Sequence, residues 1–87
     1  MEIGLLWYDG DAKRPLEQKV GQAATRYHEK FERWPDTCYV HPGAVGDSPD
    51  GVSVPNPQAA PIRVLASPTV LLHHLWIGVR ERDDHVQ

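Results

Sequence analysis

Histidine and cysteine are the residues of this chain whose chemistry and spacing first suggest a site. Cys38 and His41 stand three positions apart. His73 and His74 are adjacent, and the two pairs together would supply the four ligands of a structural zinc site. In a regular strand, however, residues three apart or adjacent point to opposite faces. The spacing therefore disfavours a metal centre, and we expect neither a metal nor a cofactor.

Nucleophilic catalysis is disfavoured by the surroundings of Cys38, the only cysteine of the chain. A catalytic thiol needs an exposed, electropositive setting. Cys38 is instead flanked by Thr37 and by Tyr39-Val40, which predicts a buried core residue. The chain also lacks the sequence motifs of serine hydrolases, P-loop NTPases and zinc proteases. No catalytic residue is predicted.

Aromatic side chains provide the remaining functional signal. Each of the three tryptophans can bury about 200 Å² in a core or an interface. Core packing is one interpretation of Trp7 and Trp76, and Trp34 is expected to be partly exposed beside Pro35. Because aromatic residues are enriched in interfaces, the sequence also predicts a binding patch, whose candidate residues are Trp34, Tyr39, His41, His73, His74 and Trp76.

The main element that would position these residues is a helix. Six apolar residues recur at helical spacing and form one stripe: Leu16, Val20, Ala23, Ala24, Tyr27 and Phe31. Pro15 suits the first turn, and Trp34-Pro35 ends the pattern. Gly21, inside the helix, is expected to allow a close approach of the helix to a sheet.

Short apolar runs predict strands on both sides of this helix. Four runs have this character: Ile3–Tyr8, Thr37–His41, Ile62–Ala66 and His74–Arg80. The last two are predicted to pair as a β-hairpin. Residues 42–61 hold five prolines and three glycines, which predicts a long loop, with a possible short strand at Val52–Val54.

These elements predict an α+β fold in a single domain of residues 1–87. A single amphipathic helix packs on one face of a small mixed four- to five-stranded sheet, in the order β-α-β, long loop, β-hairpin. The Pro/Gly-rich loop spans 42–61 and a charged C-terminal tail spans 81–87. One helix covers only one face, so the other must be wetted, covered by the loop or buried against another molecule. We expect function on that face.

Charge and hydropathy exclude several classes of partner. The net charge is −3, from nine basic and twelve acidic residues, and the basic residues lie among acidic ones, which disfavours nucleic acid as a partner. The longest apolar run is too short to span a membrane. Met1-Glu2-Ile3 lacks the positive charge of a signal peptide. We therefore expect a cytoplasmic protein with no membrane association.

The first third of the chain resembles a known family. Tyr8-Asp9, the basic pair Lys13-Arg14 and the helix that begins near Pro15 are similar to the start of Cas2-type CRISPR-associated proteins. That family consists of small ferredoxin-like dimers in which an aspartate at the end of the first strand has been proposed to bind metal for nuclease chemistry. The resemblance implies this role for Asp9. It stops at residues 42–61, which are too rich in proline to supply the family's second helix.

The sequence favours a small non-catalytic binding module that acts through the uncovered sheet face or a sheet edge. A homo-oligomer or a protein partner is expected, with self-association at micromolar concentration. The alternative is a small enzyme or ligand-binding domain with a pocket under the 42–61 loop, near His41, His73 and His74. A regulatory or inhibitory protein from a mobile element is a third hypothesis, and a Cas2-like nuclease using Asp9 is the most remote.

Overall fold

The computed structural model describes residues 4–11, 13–45 and 52–80. The elements follow in the order β1 (Gly4–Tyr8), α1 (Leu16–Phe31), β2 (Thr37–Val40), α2 (Pro42–Val45), β3 (Val52–Val54), β4 (Ile62–Ala66) and β5 (His74–Gly78). The five strands form one mixed sheet in the spatial order β1-β5-β2-β4-β3, which confirms the predicted α+β fold with one main helix. The charged tail predicted at 81–87 lies outside the described residues.

Helix α1 buries the apolar stripe that the sequence predicts. Val20, Ala23, Ala24 and Tyr27 are buried, and the two ends of the stripe pack against the same core while remaining partly exposed. The helix ends at Glu32, which adopts a left-handed conformation with φ 58° and donates its backbone N–H to a carbonyl of the last turn. Helical spacing of small and aromatic residues therefore fixes which side of α1 meets the sheet.

Gly21 does not serve the close packing that the sequence predicts. A Cβ built at this position finds no atom within 4 Å, so Gly21 lies on the outer side of α1 and the prediction is wrong. The glycine weakens the helix without bringing it nearer to the sheet.

The hydrophobic core lies between α1 and one face of the sheet. Alternate strand residues point into it and are almost fully buried: Cys38, Val40, Val54, Ile62, Val64, Leu75 and Ile77. Trp7 packs against the same cluster from β1, as one of the two sequence interpretations expects. The prediction that Cys38 is a core residue is confirmed, since its exposed fraction is 0%.

The strands predicted as a hairpin, β4 and β5, are not neighbours. Strand β2 lies between them, parallel to β4 and antiparallel to β5. At the start of the connection 67–73, Ser67 N–H donates to the Val40 carbonyl over 2.8 Å. The chain thus passes the end of β2 before it turns back. The hairpin of this fold is formed by β3 and β4 instead.

Residues 42–61 contain more regular structure than the long loop that the sequence predicts. The possible strand at Val52–Val54 is present and pairs with β4 at the edge of the sheet. Pro42–Val45 forms one helical turn, α2, which the sequence does not predict. In the described ranges, no helix combines the length and the apolar character needed to cross a membrane.

Strand β5 joins the two halves of the sheet. It pairs antiparallel with both β1 and β2, so β1 and β2 run parallel with one strand between them. Their carboxyl ends therefore meet at the same end of the sheet, beside the first turns of α1 and the start of β5. Asp9, His41 and His74 are brought to this end by topology alone.

Candidate functional site

The sheet face opposite α1 carries an uninterrupted row of apolar side chains. The strand register aligns Leu6, Trp76, Tyr39 and Leu65 across β1, β5, β2 and β4. Tyr8 and His74 form the neighbouring pair toward the end of the sheet. We call these six residues, together with Val70 and Leu71 of the adjoining connection, the open face.

Much of the open face is accessible to solvent. Leu6 is 56% exposed, Tyr8 63% and Leu71 68%. The connection 67–73 rises beside the row and encloses a shallow groove of about 550 Å³ between Leu6, Tyr39, Trp76 and Leu71. Exposed apolar residues that are contiguous in this way mark interaction surfaces more often than isolated ones do.

The position of Trp76 depends on a glycine in the neighbouring strand. A Cβ at Gly4 would lie 2.7 Å from Cε2 and Cζ2 of the indole. Because Gly4 has no side chain, the indole ring of Trp76 has the space to lie across β1. Core packing, which the sequence offers as an interpretation of Trp76, is therefore wrong: the indole lies on the sheet face away from α1 and is not part of the core cluster.

The open face is almost free of charge. Arg63 is the one Lys, Arg, Asp or Glu among the described strand residues that point away from α1. It lies one row away from Trp76 and Tyr39, opposite Thr37. A partner for this face would therefore be recognised by apolar and aromatic contact rather than by charge.

A second candidate site is a cavity of about 240 Å³ at the end of the sheet where β1 and β2 finish. We call it the cleft. Its polar lining consists of Asp9, Lys19, His41, His73 and His74, and Leu16, Val40, Leu72 and Leu75 supply apolar walls. The cleft thus gathers the three histidines of the predicted pocket with two charged residues that are distant in sequence.

The carboxylate of Asp9 already has partners. Its Oδ1 accepts the Asp11 backbone N–H over 3.0 Å, and its Oδ2 lies 3.5 Å from Nη1 of Arg14. The side chain is only 10% exposed. Lys19 donates from Nζ to the Asp9 main-chain carbonyl over 3.3 Å, which brings its ammonium group to the cleft without neutralising it.

Hydrogen bonds assign the proton positions of two histidines. Nδ1 of His41 accepts the Gly43 backbone N–H over 3.0 Å, so the proton of the neutral ring is on Nε2. Nδ1 of His74 lies 2.9 Å from the Leu72 carbonyl, which can only accept, so this Nδ1 carries a proton. His41, which lines the cleft, therefore keeps an N–H donor at Nε2 even in its neutral form.

His73 is held in an unusual backbone conformation. Its φ is 66°, in the left-handed region that glycine and asparagine adopt most readily. The turn is tied to β1, because the Asp9 N–H donates to the His73 carbonyl over 3.0 Å. A large side chain at such a position costs conformational energy, and here it lines the cleft.

The metal and thiol hypotheses gain no support from the geometry. Over the described ranges, no group of three or more His, Cys, Asp and Glu residues could hold a metal ion. Cys38 points into the core, where burial raises the pKa of its thiol to about 12. In the described part of residues 42–61, the helical structure is the single turn Pro42–Val45, so the described residues add nothing to the resemblance that would give Asp9 a metal.

The predicted site residues fall into three places. Tyr39 and Trp76 are direct neighbours on the open face, with His74 at its border. His41, His73 and His74 line the cleft. Trp34 lies apart from both, where it stacks on His28 with ring centroids 4.1 Å apart.

Residues that the sequence interpretation missed are Leu6 and Leu71 on the open face and Lys19 in the cleft. The run Ile3–Tyr8 has apolar residues at both odd and even positions, so both faces of the strand are apolar. With a single helix to cover them, this is the signal that one face remains uncovered. Lys19 has no comparable signal, since only the placement of α1 brings it to the strand ends.

Comparison of the chain with protein-family models, with curated proteins and with solved structures finds no match. What the protein does is therefore inferred from the open face and the cleft.

Proposed function

We propose that this protein is a non-catalytic binding module that associates with a second copy of itself through the open face. The supporting observation is the row Leu6-Trp76-Tyr39-Leu65, which lies opposite the helix-covered core and has a half-exposed leucine at one end. Burial of such surface contributes about 25 cal/mol per Å². Pairing two open faces gives the sheet the second apolar layer that a single helix does not provide.

A second copy fits this surface better than a charged partner does. A symmetric interface places each surface patch against the same patch of the other protomer, so a strongly charged face would repel its copy. Arg63 is the one such charge among the described strand residues of this face, and it lies outside the apolar row. A neutral face with aromatic residues at its centre is compatible with itself.

The size of the open face sets the expected affinity. The row Leu6-Trp76-Tyr39-Leu65 crosses four strands of about five residues, whose flat outline measures roughly 14 by 17 Å. This is well below the roughly 800 Å² that each partner contributes to a standard interface. The connection 67–73, with Leu71 68% exposed, must therefore take part. We expect dissociation in the micromolar range rather than the nanomolar range.

The proposed compartment is the cytoplasm. Cys38 is a buried free thiol, and a domain of this size without a disulfide suits a reducing environment.

A protein partner in place of a second copy, and an enzyme or ligand site at the cleft, remain the competing functions. The convergence of three histidines and Lys19 at the cleft favours the ligand site over a different protein partner.

The oligomeric state tests this proposal directly. Sedimentation velocity over a concentration series, from low to high micromolar, should show a monomer–dimer equilibrium for the wild type. Leu71→Glu places a charge at the most exposed leucine of the open face. Because the dimer would bury that charge unpaired, the variant should remain monomeric across the series.

Val52→Glu is the matched control. Val52 is also an exposed apolar residue, 37% accessible, but it is on β3 and pairs with Val64 on the α1 side of the sheet. It adds the same charge away from the open face, so dimerisation should be unchanged. A wild-type chain that stays monomeric throughout, or equal loss of dimer in both variants, would overturn the proposal.

A further inference from the structure

We infer that the cleft is a binding site for a small oxyanion, such as a phosphate group, attached to a short apolar moiety. This inference does not rest on self-association through the open face. Four observations carry it: the charge of Lys19, the fixed donor of His41, the saturation of Asp9 and the backbone conformation of His73.

Hydrogen-bond donors exceed free acceptors in the cleft. The ammonium group of Lys19 uses one bond, to the Asp9 main-chain carbonyl, and retains two N–H groups. His41 carries its proton on Nε2 because Gly43 N–H occupies Nδ1. An oxyanion accepts from both kinds of donor, and charge-assisted bonds of this type are stronger than neutral ones.

The one carboxylate in the lining does not cancel this preference. Asp9 accepts a backbone N–H at Oδ1 and lies against Arg14 at Oδ2. Asp9 thus has polar partners within the protein, although Arg14 also lies 3.9 Å from Oδ2 of Asp11. Lys19 takes part in none of the salt bridges among the described residues, and it is the cationic group that the cleft offers to an oxyanion.

His73 occupies a position where glycine would relieve the backbone. Its φ of 66° imposes a conformational cost, while the side chain is exposed and has an edge contact with the Tyr8 ring. Conformational cost at a cavity wall is a common mark of a functional position. An imidazole here adds a further nitrogen to the set that faces the anion.

The remaining walls define the rest of the ligand. Leu16, Val40 and Leu72 are apolar and line the same cavity as Lys19 and His41. Its volume of about 240 Å³ is below the range of roughly 300–1,000 Å³ that drug-sized ligands occupy. The site therefore suits an oxyanion with a short alkyl group rather than a nucleotide.

An NMR titration of the histidine side chains tests the inference on the full chain. Inorganic phosphate and n-butyl phosphate are added at constant pH and ionic strength, with the imidazole nitrogens observed directly. His41, His73 and His74 should shift with saturable binding, at a dissociation constant on the order of 1 mM. Butyl phosphate should bind more tightly, by roughly fourfold for each methylene group that is buried.

His28 is an internal control. It stacks on Trp34 at the other end of the molecule and should not shift. Equal shifts of His28 and the cleft histidines, or no saturable shift of the cleft histidines with either ligand, would overturn the inference. Either result would leave dimerisation through the open face intact, so failures of the two proposals are distinguishable.

Two variants separate binding from folding. Lys19→Met keeps the apolar part of the side chain and should weaken phosphate binding by about tenfold or more, the effect of one charge-assisted hydrogen bond. Lys30→Met, on the same helix but over the Phe31 ring, should bind like the wild type. Unchanged binding by Lys19→Met would contradict the inference.

His73→Gly distinguishes a role of His73 in phosphate binding from a purely structural role. Glycine relieves the left-handed backbone, so thermal stability should rise while phosphate affinity falls. A variant that binds phosphate as tightly as the wild type would remove His73 from the site, and one that loses stability would contradict the argument from backbone strain.

Discussion

The two faces of the sheet are built from adjacent residues of the same strands, yet their environments are opposite. In β5, Ile77 is fully buried beneath α1, whereas Trp76 lies on the open face and is only half-buried. In β1, Leu5 packs against the core while Leu6 is 56% exposed. Both faces are apolar, so the position of α1, rather than residue type, decides which side forms the core. The open face retains the composition of a core without its cover.

The largest expected effect concerns the covered face, where the Cys38 thiol should be chemically inert. Burial raises the pKa of its thiol from 9.0 to about 12, which lowers the thiolate fraction about a thousandfold at about pH 8. Ellman's reagent should therefore label the folded protein at least that much more slowly than the urea-unfolded protein. Rapid labelling in the native state would show that the covered face opens easily.

The Cys38 thiol also makes the stability of the folded protein fall as the pH becomes alkaline. The neutral thiol is favoured in the folded state, so the stabilising effect is complete below pH 9 and is lost as pH rises toward about 12. Urea unfolding at a series of pH values, compared with a Cys38→Ala variant, would isolate this contribution.

Truncation of neighbouring positions on the two faces should have unequal costs. Ile77→Ala removes a side chain with 0% exposure and should lower the free energy of unfolding by about 2–5 kcal/mol. Leu6→Ala should cost about 1 kcal/mol or less in the monomer, because more than half of the side chain is already in water. Urea denaturation at low protein concentration measures both. Equal costs would mean that the open face is covered in solution.

Gly4→Ala should disturb the open face without damaging the core. The added Cβ would lie 2.7 Å from the Trp76 indole, so the ring must move, at a cost of about 1–2 kcal/mol. Near-ultraviolet circular dichroism should change, and dimerisation should weaken. An unchanged tryptophan signal would indicate that the indole does not rest on β1.

Gly21→Ala is the smallest expected effect and belongs to neither face. Since nothing lies within 4 Å of the added Cβ, the substitution should stabilise α1 by about 0.5–1 kcal/mol. The urea midpoint should rise with an unchanged slope, and dimerisation should not respond. A loss of stability would show that the outer side of α1 is packed against something else.

Local patterns predicted the elements of this fold well. The stripe from Leu16 to Phe31 and the short apolar runs report residue periodicity, which depends only on neighbours in the chain. The pairing of strands depends on distant contacts instead. Nothing near Ile62–Ala66 or His74–Gly78 indicates that β2 separates them, and so the predicted hairpin was wrong.

The candidate sites were predictable to different degrees. Tyr39 and Trp76 could be proposed from composition, and the register makes them neighbours. The cleft could be anticipated only as a group of histidines. Lys19 and Asp9 join it because β1 and β2 end on the same side of the sheet, which in turn follows from the insertion of β5. Such convergence is a property of topology and has no local signature.

The central place of β5 has a consequence for how the chain is made. Among the strands of the described residues, β1 pairs only with β5, although β1 is synthesised first of these strands and β5 last. During translation β1 therefore remains unpaired while β2, β3 and β4 emerge from the ribosome. We expect the nascent chain to acquire its native architecture only after His74–Gly78 has left the exit tunnel, which makes the early intermediate a natural client for chaperones.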